Sequence, residues 1–215
     1  MSEPSPAPGP PSGSAVTAAE GGGAKPEDSE AVFAGQRDAA RAARPGGVVV
    51  GGKLVACLGL PWLRDLDFGT QFIRRCAGLE WPTDVVVEDV SYAAHRVLHL
   101  LEDLAPSKVV MVGAMPREVD PPGTIRRYLL DLTPPDEMEV HERLTEAIGG
   151  IIDLDHTLAV VRHWKAFPDD TVVIEIEPGD RSFGLGFSDE VEAAVGTVLN
   201  MIREEVGAAP VTEPI

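Results

Sequence analysis

Cysteine is nearly absent from this sequence, and aromatic residues are few. Its 215 residues include only two cysteines, Cys57 and Cys76, and neither belongs to a CxxC motif. Two cysteines are too few for a disulfide-stabilised scaffold, and they are typical of reduced thiols in a cytoplasmic protein. We therefore predict a cytoplasmic location.

Basic residues are also scarce. Eighteen Lys and Arg residues stand against 35 Asp and Glu residues, which gives a formal net charge of -17. Such a chain repels phosphate backbones and anionic lipids, so we predict neither a nucleic-acid nor a membrane partner. The longest apolar run, over residues 48–60, is interrupted by glycines and Lys53 and is too short to span a bilayer. The N-terminus also lacks the basic and apolar regions of a signal peptide.

The composition changes near residue 46. Residues 1–28 consist mainly of Pro, Gly, Ser, Ala and Glu, which cannot bury enough apolar surface to offset the entropy of ordering. We predict a disordered tail over 1–46, with a short Ala-rich helix allowed at 29–44. A single domain is predicted over 47–206, followed by a flexible C-terminus at 207–215.

Strand-like and helix-like segments alternate through this domain. Continuous apolar runs bounded by Gly or Pro indicate buried strands, and apolar residues at helical spacing indicate amphipathic helices. The pattern predicts an α/β fold with three layers, in which a mostly parallel, doubly wound sheet of about five strands is flanked by helices. The predicted strands are 54–60, 84–90, 108–114, 125–130 and 171–177, and the predicted helices are 68–79, 92–104, 136–148, 152–165 and 188–206.

Functional residues in such sheets lie beyond the carboxyl ends of the strands. The first strand-to-helix turn lacks the spaced glycines of a dinucleotide site and carries two acids where a phosphate would lie. Neither a Walker A motif nor a GxSxG motif is present. Ser91 and Ser182 lie near strand ends, but no base is evident beside either of them.

Two pairs of histidines have spacings that suit metal ligands. His95 and His99 are four residues apart, but they point away from the apolar stripe of their helix and indicate a solvated face. His156 and His163 are seven apart and share a helix face that either packs beside the core or lines a cleft. We keep His156 as a metal-ligand candidate.

Several segments in this order resemble one protein family. The chain reads LGLPWLRDLDFG after the first strand, then KVVMVGAM and PPGTIRR, and finally FPDDTVVIEIEP and GLGFSDEVEAAV. Over roughly residues 53–206 it is similar to the hydrogenase maturation endopeptidases, which trim the C-terminal tail of the large subunit of nickel–iron hydrogenases. The resemblance implies a sheet of about five strands flanked by helices, with a shallow cleft at the strand ends.

The resemblance also implies three side chains that recognise nickel already held by the substrate. They are an acid in the first turn, an aspartate ending the third strand and a histidine before a later helix. These positions fall on Leu66, Gly113 and, counted back from Phe167-Pro168, Gly150; a gap would instead bring His141 or His156 into the third position. None of the three residues has a side-chain donor atom. We therefore expect no tightly bound cofactor, with nickel as a possible feature of the substrate.

Other acids at the strand ends are candidates for a displaced site. Asp65 and Asp67 flank Leu66, Asp89 ends the second strand, and Glu177 ends the last. Carboxylates together with a histidine suit a divalent transition metal. Asp65, Asp67 and His156 are thus the metal candidates, Asp89 and Glu177 are further cleft candidates, and no catalytic residue is assigned.

Two functions follow from the resemblance. The first is a protein that binds the hydrogenase large-subunit precursor or a maturation accessory protein, with weakened or lost peptidase activity. The alternative is an active endopeptidase with a remodelled metal-recognition site. A small-molecule hydrolase on the same scaffold is a remoter third class. Whether the chain is an enzyme is left open by the sequence.

Overall fold

The computed structural model of the protein describes residues 50–91, 94–148, 150 and 152–212. The predicted tail over 1–46, its helix at 29–44 and residues 213–215 lie outside the described residues. Within the part that is described, no helix is both long enough and apolar enough to cross a membrane.

One five-stranded sheet forms the centre of the domain, as predicted. Its strands follow the order β2-β1-β3-β5-β4, and every neighbouring pair is parallel except β4 with β5. The antiparallel β4 is an edge strand, which agrees with the prediction for residues 125–130. The strands are β1 Lys53–Leu58, β2 Val85–Asp89, β3 Lys108–Ala114, β4 Ile125–Leu129 and β5 Thr171–Ile176.

Five helices and a short 3₁₀ turn, Arg64–Asp67, complete the described fold. The helices are α1 Phe68–Arg75, α2 Ala94–Leu104, α3 Glu137–Ile148, α4 Leu154–His163 and α5 Asp189–Val206. Ser188 caps α5 by accepting a hydrogen bond from the amide of Val191, as its sequence position predicts. Helix α1 is shorter than the predicted 68–79 because the chain turns after Cys76, and Gly78 has a left-handed φ of 96°.

Two apolar clusters lie on opposite faces of the sheet. Helices α1 and α5 cover one face and α2 and α4 cover the other, so alternate residues of each central strand enter different clusters. Both free cysteines are buried in the α1/α5 cluster. Helix α3 lies outside these two clusters and has no buried residue of its own. The predicted three-layer arrangement is thereby confirmed.

A glycine brings the start of α1 into contact with the end of β1. A Cβ atom on Gly69 would lie 2.3–2.4 Å from backbone atoms of Leu58. Only glycine therefore permits this contact, which holds the turn after β1 directly above the carboxyl edge of the sheet.

Candidate functional site

Three connections that the structure describes in full contribute to the carboxyl edge of the sheet, beside the end of β2. These are the turn after β1 (residues 59–67), the loop after β3 (115–124) and the loop after β5 (177–188). Most of the candidate residues from the sequence lie in these connections or at the adjoining strand ends. The structure shows a different environment for each of them.

Asp65 is completely buried and holds two of these connections together. Its Oδ2 accepts hydrogen bonds from the amides of Gly179 and Asp180 at 2.8 and 2.7 Å, and from the Ser188 hydroxyl at 2.7 Å. Its Oδ1 accepts from the Ser188 amide at 2.7 Å. Four donors from its own chain thus occupy this carboxylate, and its evident role is to fasten the β5–α5 loop to the first turn.

Asp67 is equally buried but poorly paired. Its Oδ2 lies 3.4 Å from the Trp62 amide, and its Oδ1 has no hydrogen-bond partner. Burial raises the pKa of Asp67, and the nearby charge of Asp89 adds to the rise. The Thr70 hydroxyl, the Trp62 amide and Arg74 oppose it, in that order of size. Asp67 is therefore the one candidate acid at this edge with an unused buried oxygen.

The two firmer ligand positions taken from the resemblance face apolar surroundings. Leu66 is partly buried and packs against the cluster under α1 and α5. A Cβ atom on Gly113 would lie 3.1 Å from the carbonyl oxygen of Leu58 and 3.7 Å from both Cβ and Cδ2 of Leu154. Leu154 is fully buried, so the nearest side chain to this position is apolar.

A buried carboxylate occurs one strand away from Gly113. Glu175 of β5 is the in-register neighbour of Gly113, and its side chain is 2% exposed. Arg117 donates to it from Nε at 3.0 Å and from Nη2 at 2.6 Å, and the hydroxyl of Tyr128 donates at 3.1 Å. The charge of Glu175 is thereby neutralised within the protein.

Glu177 belongs to the same ionic network. It accepts from the amide of Glu118 at 3.0 Å and from both terminal nitrogens of Arg126 at 3.1 Å. Arg117 also forms a bidentate pair with Asp155 of α4 at 2.7 and 2.8 Å. These pairs tie the loop after β3 to β4, β5 and α4, which favours a structural role for Glu177.

Asp89 closes a local turn at the end of β2. Its Oδ1 accepts from the amide of Ser91 at 3.0 Å and from the Ser91 hydroxyl at 2.5 Å. Ser91 in turn accepts from the amide of Gly59 at 3.0 Å. The pair therefore connects the turn after β1 to the end of β2.

His156 lies on α4 and faces α3. It is buried, and its Nδ1 is 2.9 Å from the carbonyl oxygen of Arg143, so Nδ1 must carry the proton. His141, His95, His99 and His163 are exposed. Gly150 is exposed with a left-handed φ of 89°, and a Cβ atom there would meet nothing within 4 Å.

The described residues include no group of three or more His, Cys, Asp or Glu side chains placed to hold a metal ion. Leu66, Gly113 and Gly150 offer no side-chain donor atom, and Asp65 is occupied by protein donors. The residues at this edge therefore do not fit a resident metal of the expected kind. Metal binding by Asp65, Asp67 and His156 stays a prediction.

Sequence reasoning missed the arginine–glutamate network. It identified Glu177 but not its neighbour Glu175, and it gave Arg117 and Arg126 no role. A signal was present, because an acid at position 175 inside the apolar strand TVVIEI must be buried and therefore needs a cationic partner. Arg126, in the predicted edge strand, pairs directly with Glu175 in the sheet.

Comparison with known proteins relates the chain to one group of enzymes by structure alone. No protein-family model matches the sequence, and neither does any curated protein. The hydrogenase 2 maturation peptidase from a Thaumarchaeota archaeon is 22% identical, with a TM-score of 0.53 over 74% of this chain and 99% of that one. The hydrogenase maturating endopeptidase HybD from E. coli is 20% identical, with a TM-score of 0.55 over 73% of this chain and 92% of HybD.

A third structure extends this likeness. The [NiFe] hydrogenase maturation protease HycI from Thermococcus kodakarensis is 16% identical, with a TM-score of 0.54 over 73% of this chain and 93% of that one. The resemblance read from the sequence is thereby confirmed at the level of the fold. The chain has the fold of the hydrogenase maturation endopeptidases.

Proposed function

We propose that this protein binds the large-subunit precursor of a nickel–iron hydrogenase, or a maturation partner of that subunit, with weakened or lost peptidase activity. The shared fold supports a role in hydrogenase maturation, because the similar solved structures are maturation peptidases of that system. The proposed location is the cytoplasm, with nickel present in the substrate and no tightly bound cofactor in the protein.

The observation that carries the proposal is the apolar contact between Gly113 and Leu154. Scission of a peptide bond requires charge stabilisation at the carbonyl or an activated water, and such effects supply several kcal/mol. At this position a Cβ atom would lie 3.1 Å from the Leu58 carbonyl oxygen and in van der Waals contact with Leu154, so a ligand side chain would begin beside a buried apolar residue. A Gly113→Asp substitution would accordingly place a carboxylate against a buried leucine rather than in a cleft.

The contacts of Asp65 support the same conclusion. Asp65 lies beside the position of the expected ligand, but it accepts four hydrogen bonds from Gly179, Asp180 and Ser188, three on Oδ2 and one on Oδ1. A carboxylate that is completely buried and holds two loops together is poorly placed to coordinate a metal of the substrate. Binding of a partner through the strand-end loops, in contrast, needs no metal-coordinating side chains.

One observation favours the alternative, an endopeptidase with a remodelled site. The Oδ1 atom of Asp67 is buried and has no partner, so this carboxylate retains an unused acceptor. The alternative assigns the catalytic or metal-facing role to Asp67. It therefore predicts that Asp67→Asn abolishes cleavage.

The test is to incubate the protein with nickel-loaded, untrimmed large-subunit precursor encoded in the same genome. The mass of the large subunit is followed over time, and complex formation is followed by gel filtration. We expect a stable complex with no loss of the C-terminal tail. A matched incubation without the protein controls for spontaneous or contaminating cleavage.

Tail removal that depends on this protein would contradict the non-catalytic proposal. If the removal is lost in Asp67→Asn but kept in Asp180→Asn, whose side chain is partly exposed, the remodelled endopeptidase is correct. If neither complex nor cleavage is observed, the role in large-subunit maturation is wrong.

A further inference from the structure

Three large apolar side chains are exposed at the carboxyl edge of the sheet. Trp62 is 56% exposed, Phe183 is 80% exposed and Leu185 is 54% exposed. The rings of Trp62 and Phe183 stack with their centroids 6.3 Å apart and their planes 15° apart. We refer to these three side chains as the aromatic platform. Exposed apolar residues grouped in this way mark interaction sites more often than scattered ones do.

The two loops that carry the aromatic platform are joined by backbone hydrogen bonds. The amide of Gly184 donates to the carbonyl of Trp62 at 2.7 Å, and the amide of Arg64 donates to the carbonyl of Gly184 at 3.2 Å. Asp65 fastens the same two loops through Gly179, Asp180 and Ser188. The platform is therefore held in place before any partner arrives, which lowers the entropy cost of binding.

The backbone under the platform adopts an uncommon conformation. Trp62 has a φ of 71° and Arg64 has a φ of 42°, both in the left-handed region that residues with side chains rarely occupy. This conformation is stabilised by the surrounding hydrogen bonds and directs the Trp62 side chain outward. Strain of this kind concentrates at sites of function.

The charged residues that adjoin the platform along the chain, which we call its rim, carry a net negative charge. Its two arginines are already paired, Arg64 with Asp180 at 3.2 Å and Arg181 with Glu118 at 3.1 Å. Asp189 and Glu190, which follow the loop directly, are exposed and form no ion pair with any described residue. An apolar centre with an acidic rim matches a segment that has apolar side chains flanked by Lys or Arg.

We propose that the aromatic platform is the docking surface for an apolar, basic-flanked segment of the hydrogenase large-subunit precursor. This inference rests on the proposed function and adds to it the surface that receives the partner. Trp62 and Phe183 act as the central anchors, and the acidic rim selects and orients the basic flanks.

A second copy of this chain does not fit the surface. It would bring the same acidic rim, and each copy carries a formal charge of -17. Like charges facing each other across an interface oppose association. The negative charge of the chain therefore favours a precursor segment over a second copy of this chain as the occupant.

The experiment measures the dissociation constant for the untrimmed precursor by calorimetry with three variants of the full chain. In the test variant, Phe183→Ser and Leu185→Ser remove two of the exposed side chains. In the control variant, Leu144→Ser and Ile148→Ser remove an exposed apolar pair from α3, where the side chains are 49% and 88% exposed. The conservative variant is Trp62→Phe.

We expect the test variant to bind at least about tenfold more weakly, because the loss of a central anchor typically costs this much or more. The control variant should stay within about threefold of the wild-type value. Trp62→Phe keeps an aromatic ring but shortens the anchor, so its affinity should lie between those of the wild type and the test variant. Binding by the wild-type chain should also weaken as salt is raised, because the rim charges are exposed. Since the replaced side chains are exposed, each variant should retain the wild-type unfolding midpoint.

Equal affinity of the test variant and the wild type would overturn this inference and leave the proposed function intact. If the control variant alone loses affinity, the docking surface is α3 and the inference is wrong. Absence of binding by the wild-type chain would overturn both. Self-association of the wild type that is lost in the test variant, measured by sedimentation velocity, would identify a second copy as the occupant and also overturn the inference.

Discussion

Two buried aspartates only two residues apart have opposite environments. Asp65 receives four hydrogen bonds from donors that the chain brings from residues 179–188. Asp67 receives one long hydrogen bond and leaves an oxygen unpaired. A buried carboxylate is stabilising only where its charge is compensated, so the two residues should contribute to stability with opposite signs.

Replacement of Asp65 by asparagine should destabilise the protein by about 2–4 kcal/mol. The asparagine side chain keeps one acceptor oxygen but turns an amide group toward donors, so several charge-assisted hydrogen bonds are lost. The measurement is the free energy of unfolding in urea. Asp180→Asn in the same loop is the control and should change this free energy by less than about 1 kcal/mol, since its ion pair with Arg64 is partly exposed.

Replacement of Asp67 by asparagine should instead stabilise the protein at neutral pH. The raised pKa of Asp67 means that the folded state favours its protonated form. Its contribution to stability is therefore complete at acid pH, below the unfolded-state pKa, and is lost as the pH rises through the folded-state pKa. Asparagine has no ionisable group, so the Asp67→Asn protein does not lose stability in this way as the pH rises.

The measurement for Asp67 is the free energy of unfolding as a function of pH. Wild type should lose stability relative to Asp67→Asn as the pH rises from the acid side to neutrality. A difference between the two proteins that does not change with pH would contradict the assignment.

The candidate residues could be located from the sequence, but their roles could not be predicted. The strand ends indicated the turn that contains Asp65 and Asp67, and the structure places this turn at the carboxyl edge of the sheet. The partners of Asp65 lie more than a hundred residues away, at Gly179, Asp180 and Ser188. No local pattern encodes such contacts. The left-handed backbone of Trp62 was equally inaccessible, because glycine is the residue that normally signals that conformation.

At the scale of elements the prediction succeeded because periodicity is a local property. The strand β3 was predicted with its observed bounds, and the cap of α5 at Ser188 was found from its residue type. The observed ends of other elements differ from the predicted ends by a few residues. Helix α1, for example, ends early because of tertiary packing and a turn at Gly78. Helix α3 was predicted even though none of its residues is buried.

Substitution by alanine should change the stability of the protein in opposite directions at two helix glycines, Gly69 and Gly196. Gly69→Ala would place Cβ about 2.3–2.4 Å from the Leu58 backbone, so α1 would have to move away from β1. We expect the free energy of unfolding to fall by about 3 kcal/mol or more. In Gly196→Ala in α5, the added Cβ atom meets nothing within 4 Å. This substitution should raise the free energy of unfolding by about 0.5–1 kcal/mol, because alanine favours the helix.

Thermal and urea unfolding of both glycine variants provide the measurement. The Gly196 variant is the matched control, since it makes the same chemical change in a helix with open space around it. A Gly69→Ala protein with wild-type stability would show that the close contact between α1 and β1 is not required.

At the scale of the whole molecule, partly buried ion pairs join elements that are distant in sequence. Arg117 bridges β5 and α4 through Glu175 and Asp155. The pKa of Arg117 is raised, chiefly by its hydrogen bonds to Glu175, so the guanidinium stays charged. In a chain with a net charge of -17, each such arginine compensates acids that would otherwise repel one another.

Arg117→Met should destabilise the protein by about 2–4 kcal/mol, because it leaves Glu175 with only Arg126 and Tyr128 for compensation. The double variant Arg117→Met/Glu175→Met should recover much of the loss, since no uncompensated buried carboxylate remains. A double-mutant cycle on the free energies of unfolding is the measurement. Additive effects of the two changes would contradict a coupled pair.

The strand order also has a consequence for the synthesis of the chain. β4 pairs only with β5, and β5 lies between β3 and β4 in the sheet although it is made last. While the ribosome is still producing residues 130–170, the nascent chain therefore contains an edge strand with no neighbour and a central strand, β3, with one side open. Completion of the sheet must wait until Thr171–Ile176 has emerged and inserted between them. Chaperone engagement should be greatest in that interval, when both β3 and β4 expose unpaired strand edges.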